Sequence, residues 1–496
     1  MQLKQVATVP IRQASRRRVK PAWYMSLGAL LVSDRARFVA LACFMLLVAA
    51  TGGSSRADVP SLVLLRPAAV LFCAYALFTV TAGQLREARA PLLAVLALML
   101  LALLQLVPLP AGIWTDLPHR EVMAQASDLV GMNGQSRPLS LDPNRTWNTF
   151  FALFVPLAAI GLAAIQAQAR RRLIVPLLMA VGLLSAILGF LQAIGGGLQF
   201  YDISHRGFPT GLFANKNHQS MLLLWLMLAG SWLATTADPR HHSVRAVSGG
   251  ALALILVLFP LLVLTGSRAG LLLSLPALLL CGWLLLRASA TKDILRRAGR
   301  RAKIVVGLAI AVMVAPLVFV FGVLALSGRR TALSYLFEAN VTEDLRWQYL
   351  SLFWRMILDY LPFGSGFGSF ENTFNMYEPA GMLTTRYMNQ AHNDLVQLLI
   401  EGGLPALAIL LAALVWVARS GWRLWRSPQR DGRADAAFFA GSIALWLAAS
   451  LVDYPLRTPL AAMLVAALTA QLGFRSTELR SGRGGQAKES MQTGAQ

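Results

Sequence analysis

Apolar runs recur along the chain at 36–53, 60–82, 91–113, 148–168, 173–194, 217–236, 247–265, 270–287, 303–326, 392–418, 436–453 and 456–474. Most have the length of about 20 residues that a hydrocarbon core roughly 30 Å thick demands of a helix. The pattern predicts an all-α, polytopic membrane protein with about 12 transmembrane helices. A polar lead of basic residues from Lys4 to Lys20 precedes the first run. It is too long for a signal peptide, so the first span is read as uncleaved. The chain then divides into an N-terminal cytoplasmic segment at 1–35, a membrane domain at 36–474 and a cytoplasmic tail at 475–496. That tail is rich in Gly, Ser and Gln, a disorder-like composition.

One long polar interval, 327–391, interrupts the apolar pattern. It returns to the bilayer through Asn389-Gln390-Ala391-His392-Asn393-Asp394. Asn389, Asn393, Gln397 and Glu401 follow at steps of four, so a helix here carries a polar stripe into an otherwise apolar segment. Lipid does not tolerate such a stripe, because an unpaired polar group in hydrocarbon costs several kcal/mol; it must face a cavity or the protein interior. Gly402, Gly403 and Pro405 end or kink this helix after about ten residues, roughly 15 Å.

Inside the same interval, Asn340 and Glu343 fit a capping box, and Leu345, Tyr349, Leu352, Met356 and Tyr360 recur on one face until Pro362. Trp347, Trp354 and Tyr360 suit a helix lying on the outer membrane surface, with Arg346 in its first turn. Beyond it, Pro362-Phe363-Gly364-Ser365-Gly366-Phe367-Gly368 is glycine-rich enough to bring backbone N–H groups to an anion, with Gly364 and Gly366 as candidate binding positions. No strand precedes it, so a dinucleotide fold is unsupported.

The net charge of +22 raises the question of a polyanion partner. The cations, however, concentrate in alternate loops: Arg86 and Arg89, Arg170 to Arg172, Arg240 and Arg245, Arg296 to Arg301, and Arg419 to Arg433. That asymmetry is the positive-inside rule, and it accounts for the basic character without nucleic acid. It also places the 327–391 interval outside, as one large outer loop, which is periplasmic if the resemblance described below holds. Cys43, Cys73 and Cys281 each sit inside an apolar run, so neither a disulfide framework nor a zinc site is indicated. No metal-ligand motif is found, and no cofactor is implied.

Three outer-side stretches combine small residues with polar chemistry. Gly211-Leu212-Phe213-Ala214-Asn215-Lys216-Asn217-His218 opens the sixth span, with Asn215, Lys216 and Asn217 as candidate substrate contacts. Thr265-Gly266-Ser267-Arg268-Ala269-Gly270 makes a short turn that pins Arg268 at the membrane surface, where the bland reading is a snorkelling cation. His392 stands at the mouth of the polar-striped helix beside Asn393, where a neutral imidazole can accept a proton near pH 7. A guanidinium fork matches two phosphate oxygens, so Arg268 and Arg346 can hold a diphosphate without a metal.

In order and in topological side, these stretches resemble the O-antigen ligase and polymerase superfamily of bacterial membrane proteins. The resemblance rests on Gly211 to His218, Ser267-Arg268, Arg346-Trp347 with Pro362 to Phe370, and Ala391-His392-Asn393 through Glu401 and Gly403, over roughly residues 140–420. It implies a GT-C-like integral-membrane glycosyltransferase of the bacterial inner membrane, using an undecaprenyl diphosphate-linked glycan on the periplasmic face without metal or nucleotide sugar. Ligases transfer the glycan to lipid A-core, and polymerases to a growing glycan in O-antigen or exopolysaccharide. It further implies that Arg268 and Arg346 bind the diphosphate and that His392 orients or deprotonates the acceptor hydroxyl, and the polar stripe adds Asn393, Gln397 and Glu401 as candidate substrate contacts. The competing class is a transporter or flippase of lipid-linked glycans, which a broken helix would suit. Such proteins usually carry mid-membrane carboxylates, whereas Asp and Glu here fall almost entirely in loops and at span ends, with Glu401 the main exception.

Overall fold

Eleven of the twelve apolar runs lie on helices in the computed structural model, which describes residues 24–195, 197–202, 204–205, 207–238, 244–288, 349–383 and 388–493. The run at 303–326 falls outside the described residues, as do the capping pair Asn340 and Glu343 and the candidate Arg346. Among the described residues, eight helices are long and apolar enough to cross a membrane. The chain is therefore a multi-pass, all-α membrane protein.

The first half contains α1 (Tyr24–Leu31), α2 (Asp34–Thr51), α3 (Leu62–Thr79), α4 (Ala82–Gln105), α5 (Ala111–Trp114), α6 (Glu121–Leu129), α7 (Pro143–Ala152), α8 (Phe154–Ala164), α9 (Gln168–Arg171) and α10 (Ile174–Gly195). A short antiparallel pair, β1 (Pro108–Leu109) with β2 (Arg137–Pro138), closes the first outer loop. The second half contains α11 (Lys216–Thr236), α12 (Val244–Leu264), α13 (Arg268–Arg287), α14 (Leu350–Tyr360), α15 (Phe370–Asn375), α16 (Asp394–Trp425), α17 (Gly432–Ala449) and α18 (Pro459–Thr493). The segment read as a tail is thus helical as far as Thr493.

Helix α11 is the central post. Almost every residue from His218 to Thr235 is buried, and the helix packs against α10, α12, α13 and α17. Its inner half is locked by rings: Trp232 stacks on Phe438 of α17 at 4.7 Å, and Trp225 lies 6.4 Å from the same ring. Because protein rather than lipid surrounds α11, polar residues at its outer end can be carried into the bundle without facing hydrocarbon.

Helix α16 breaks where its sequence demands. Gly403 adopts φ 60° and ψ −153°, and Pro405 supplies no N–H to the carbonyl of Glu401. The displaced Leu404 N–H donates to Pro362 O at 2.8 Å. The two carbonyls thereby freed are repaid from the glycine loop: Ser365 N–H donates to Ile400 O at 2.8 Å and Gly366 N–H to Glu401 O at 2.9 Å. Gln105 of α4 adds a donor from Nε2 to Glu401 O at 2.9 Å and accepts Phe367 N–H at 2.9 Å.

This bonding corrects the reading of Gly364 and Gly366 as an anion cradle. The N–H groups of residues 364 to 367 are spent on Tyr360 O, Ile400 O, Glu401 O and Gln105 Oε1. The glycines serve instead to let two backbones approach: a Cβ on Gly364, at φ 81°, would stand 2.4 Å from Glu401 O. Gly364→Ala is therefore expected to destabilise the fold by about 1–3 kcal/mol, the range of an overpacked core. Thermal unfolding in detergent checks this; a melting temperature equal to wild type would contradict the packing argument.

The part of the expected surface helix that lies in the described residues is α14, from Leu350 to Tyr360. Phe353, Met356, Ile357 and Tyr360 are buried, and α14 packs on α16, while Leu350, Trp354 and Leu358 point outward. That division is the amphipathic face expected of a helix at an interface.

Candidate functional site

The site is assembled at the outer end of α11 around a residue that periodicity did not single out. Asp453 lies in the link between α17 and α18, only 2% exposed. Its Oδ2 accepts Asn217 Nδ2 at 2.7 Å and Asn215 Nδ2 at 3.0 Å, and His218 Nε2 stands 3.8 Å away. Its Oδ1 faces His392 Nδ1 at 3.4 Å, longer than a well-formed hydrogen bond but within ion-pair range. Burial opposes the Asp453 charge, yet the hydrogen bond and charge of His392, the His218 ring and the Asn217 amide together hold its carboxyl well below the usual carboxylate range.

Each partner is fixed by its own element. Asn215 is the N-cap of α11, its side chain accepting Asn217 N–H at 2.8 Å. His218 follows on the first turn, its Nδ1 2.9 Å from Thr458 Oγ1, with the rings of Phe213 and Tyr454 set edge-on against it. His392 immediately precedes the cap of α16 and adopts φ 51°, a left-handed conformation that few side chains accept. It is held there from both sides: Ala391 N–H donates to Gln397 Oε1 at 3.0 Å, and Asp394 N–H to Ser450 O at 2.8 Å. Tyr454 packs against the imidazole at 4.9 Å.

The loop feeding α11 dips into the bundle. Leu212 N–H donates to Ser185 Oγ at 3.0 Å, although Ser185 lies ten residues before the end of α10, a depth of about 15 Å. Gln192 Oε1 accepts Thr210 N–H at 2.9 Å and Gly211 N–H at 2.8 Å, and its Nε2 donates to Leu198 O and Gly211 O. Gln219 completes the clamp by accepting Ser185 Oγ–H at 2.7 Å. Side-chain amides thus satisfy non-helical backbone in a region where water is scarce, the condition for such a loop in a membrane.

The polar stripe on α16 has a different role from the one its spacing suggests. The helix begins at Asp394, so Asn389 lies before it, and Asn393 is the N-cap, accepting Leu395 N–H at 3.0 Å and Val396 N–H at 3.1 Å. Gln397 Nε2 donates to Glu401 Oε1 at 2.9 Å, and both side chains are buried. Arg457, four residues beyond Asp453, bridges Asp394 Oδ1 at 3.2 Å and Glu401 Oε2 at 3.1 Å. Burial disfavours the Arg457 cation, but the Glu401 and Asp394 carboxylates hold it above its ordinary value. Asn393, Gln397 and Glu401 therefore brace the site from inside the protein. They are not offered to a ligand, because their polar atoms are already paired.

Arg268 enters from the other side of α11. It is the first residue of α13, and Ser267 caps that helix by accepting Gly270 N–H at 3.0 Å. Ser220 Oγ–H reaches Ser267 Oγ at 3.0 Å and Asn217 O at 2.7 Å, which ties the Arg268 turn to the Asp453 cluster. Lys216 Nζ lies 3.9 Å over the Phe208 ring, beside Gly266 of the same turn. The structure thus brings Asn215, Asn217 and His392 to one carboxylate, with Lys216 and the turn that carries Arg268 on the neighbouring first turn of α11. Among the described residues, no group of three or more His, Cys, Asp or Glu side chains is arranged to hold a metal ion.

Residues 251–411 match the family model for the O-antigen ligase. The match over this part of the chain supports the O-antigen ligase and polymerase superfamily. No curated protein matches the chain. The O-antigen ligase match contains Arg268, Arg346, the glycine loop and His392. It stops short of Asp453 and Arg457 and begins after Asn215 to His218, so part of the ligase-like site is contributed by segments on either side of it. Asp453 was legible only as one acid in the link between two spans. The signal available was its company, Asp453-Tyr454 followed by Arg457-Thr458 at a membrane exit, which is polar chemistry where a short turn would serve.

Proposed function

We propose that the protein transfers a glycan from an undecaprenyl diphosphate-linked donor to an acceptor hydroxyl, on the periplasmic face of a bacterial inner membrane. The family match supports glycan transfer of the ligase or polymerase type and lipid-linked substrates in general. The observation that carries the finer reading is the Asp453–His392 contact beside the Arg268 turn. With Nδ1–H directed at a buried carboxylate, Nε2 becomes the ring nitrogen that bears the lone pair. This is the orienting arrangement of a general base.

In the proposed step the acceptor oxygen attacks the anomeric carbon of the donor sugar. Its proton passes to His392 Nε2, the new glycosidic bond forms, and the bond to the lipid diphosphate breaks. Negative charge grows on the leaving oxygen, and a preorganised guanidinium in a water-poor site stabilises it. Arg268 is proposed for that role, with Arg346 as the second cation on the strength of the family motif. A diphosphate is already a good leaving group, so no general acid is required. Lys216, Asn215 and Asn217 then position the substrates or the carboxylate that serves them.

Transfer of labelled glycan from a lipid diphosphate donor by the purified full chain tests the reading. Arg268→Ala is expected to remove most turnover, and Arg268→Lys to restore only part, because an ammonium cannot form the two-point fork. Wild-type turnover in Arg268→Ala would remove that residue from the mechanism. Absence of transfer with both a lipid A-core and a growing-glycan acceptor, under conditions where the donor binds, would sink the proposal.

A further inference from the structure

The end of the bundle opposite the site carries a second organised feature. Helices α13 and α16 both start beside the site, at Arg268 and Asp394, and finish far from it, at Arg287 and Trp425. At those far ends Trp283 of α13 stacks on Trp425 of α16, with ring centroids 5.4 Å apart and planes 17° apart. The Arg287 guanidinium lies 4.3 Å over the Trp283 ring, and that of Arg426 lies 4.6 Å over Trp422. Arg419 stands three residues before Trp422 and Arg423 three before Arg426 on α16, and both are exposed. Trp422 and Trp425 are exposed as well, at 58% and 39%.

Among the described residues, no carboxylate pairs with the cations in this band. Among the described residues, ion pairs elsewhere at this end go to Arg171, Arg430 and Arg475, and none takes Arg287, Arg419, Arg423 or Arg426. Asp431, five residues beyond Arg426, is paired with Arg430 at 3.9 Å. Stacking on an indole face orients a guanidinium and strips part of its hydration while leaving its N–H edge open to oxygen acceptors. Tryptophans favour the headgroup level of a bilayer, which fixes the depth at which that edge is presented.

We infer that the Arg287–Trp283–Trp425 stack, with Trp422 and Arg426, is a binding site for the phosphate of an anionic phospholipid. The aromatic faces set the guanidinium groups at headgroup depth, the apolar flanks of α13 and α16 receive the acyl chains, and the lipid phosphate supplies a counter-charge. Such a lipid would bridge the far ends of the two helices whose near ends carry Arg268 and His392. The inference is independent of the glycosyl-transfer reading, since it rests on the opposite end of the bundle.

The test uses the purified full chain in detergent, with retained lipid counted by native mass spectrometry. Wild type is expected to retain phosphatidylglycerol in preference to phosphatidylcholine. Each cation near a membrane surface contributes enough that removing two, in R287Q/R426Q, should cut the preference about thirtyfold. Equal preference in wild type and the double variant would overturn the assignment. A second arm on the unaltered protein adds millimolar inorganic phosphate: the acyl contacts should keep the lipid bound, and displacement by phosphate alone would reduce the patch to a plain anion sink and overturn the lipid assignment. Because the altered side chains lie at the surface or over a ring, elution and melting like wild type are expected alongside the lost preference.

Discussion

Asp453→Asn is expected to lower glycan transfer by about 10²- to 10⁴-fold, as much as a lost general base, although the residue need not touch substrate. The carboxylate fixes which imidazole nitrogen of His392 carries the proton, and an amide in its place can present an N–H instead. In either orientation of that amide one buried donor loses its acceptor, the His392 ring N–H or the Asn215 and Asn217 side chains, which share Oδ2 at 3.0 and 2.7 Å. A buried donor left unpaired costs about 1–3 kcal/mol, so a lower melting temperature accompanies the kinetic loss. The pH dependence separates charge from shape. Asp453 is ionised more readily in the fold than in an unfolded chain, so its contribution to stability is complete above the ordinary carboxylate value of about 3.9 and is lost as pH falls below it toward the lowered value. The gap in melting temperature between wild type and Asp453→Asn should therefore shrink on acidification below about pH 4. A constant gap across that range would show that the charge is not what the fold uses.

His392→Gln should cost about 10²- to 10⁴-fold in turnover while leaving donor binding intact, because glutamine keeps hydrogen-bonding capacity and loses the proton acceptor. The double variant with Asp453→Asn decides whether the two act as a unit. If Asp453 works through His392, the pair of changes costs little more than the larger single one; fully multiplicative losses would assign Asp453 a separate, structural role. Turnover equal to wild type in His392→Gln would leave the acceptor to be activated elsewhere.

What the sequence alone determined follows from the bilayer as solvent. A hydrocarbon core accepts apolar helices and little else, so runs of about 20 residues announced the helices, and Gly403 with Pro405 announced the break in α16 before any coordinates. His392 and Arg268 were legible for the same reason: a permanent or potential charge at the edge of an apolar run is conspicuous. Gln397 and Glu401 were conspicuous too, yet their partners were not. Only the tertiary structure showed that Gln397 and Arg457 both meet the Glu401 carboxylate while Ala391 N–H meets Gln397, which turned a supposed ligand-facing stripe into an internal brace. The glycine loop misled in the same way, since a sequence shows that N–H groups can point outward but not that the broken helix has carbonyls waiting for them. Asp453 was the largest gap. Its role depends on three segments, around 215, 392 and 453, converging on one carboxylate from separate helices, and helical periodicity reports which residues share a face of one helix, never which ends of different helices meet.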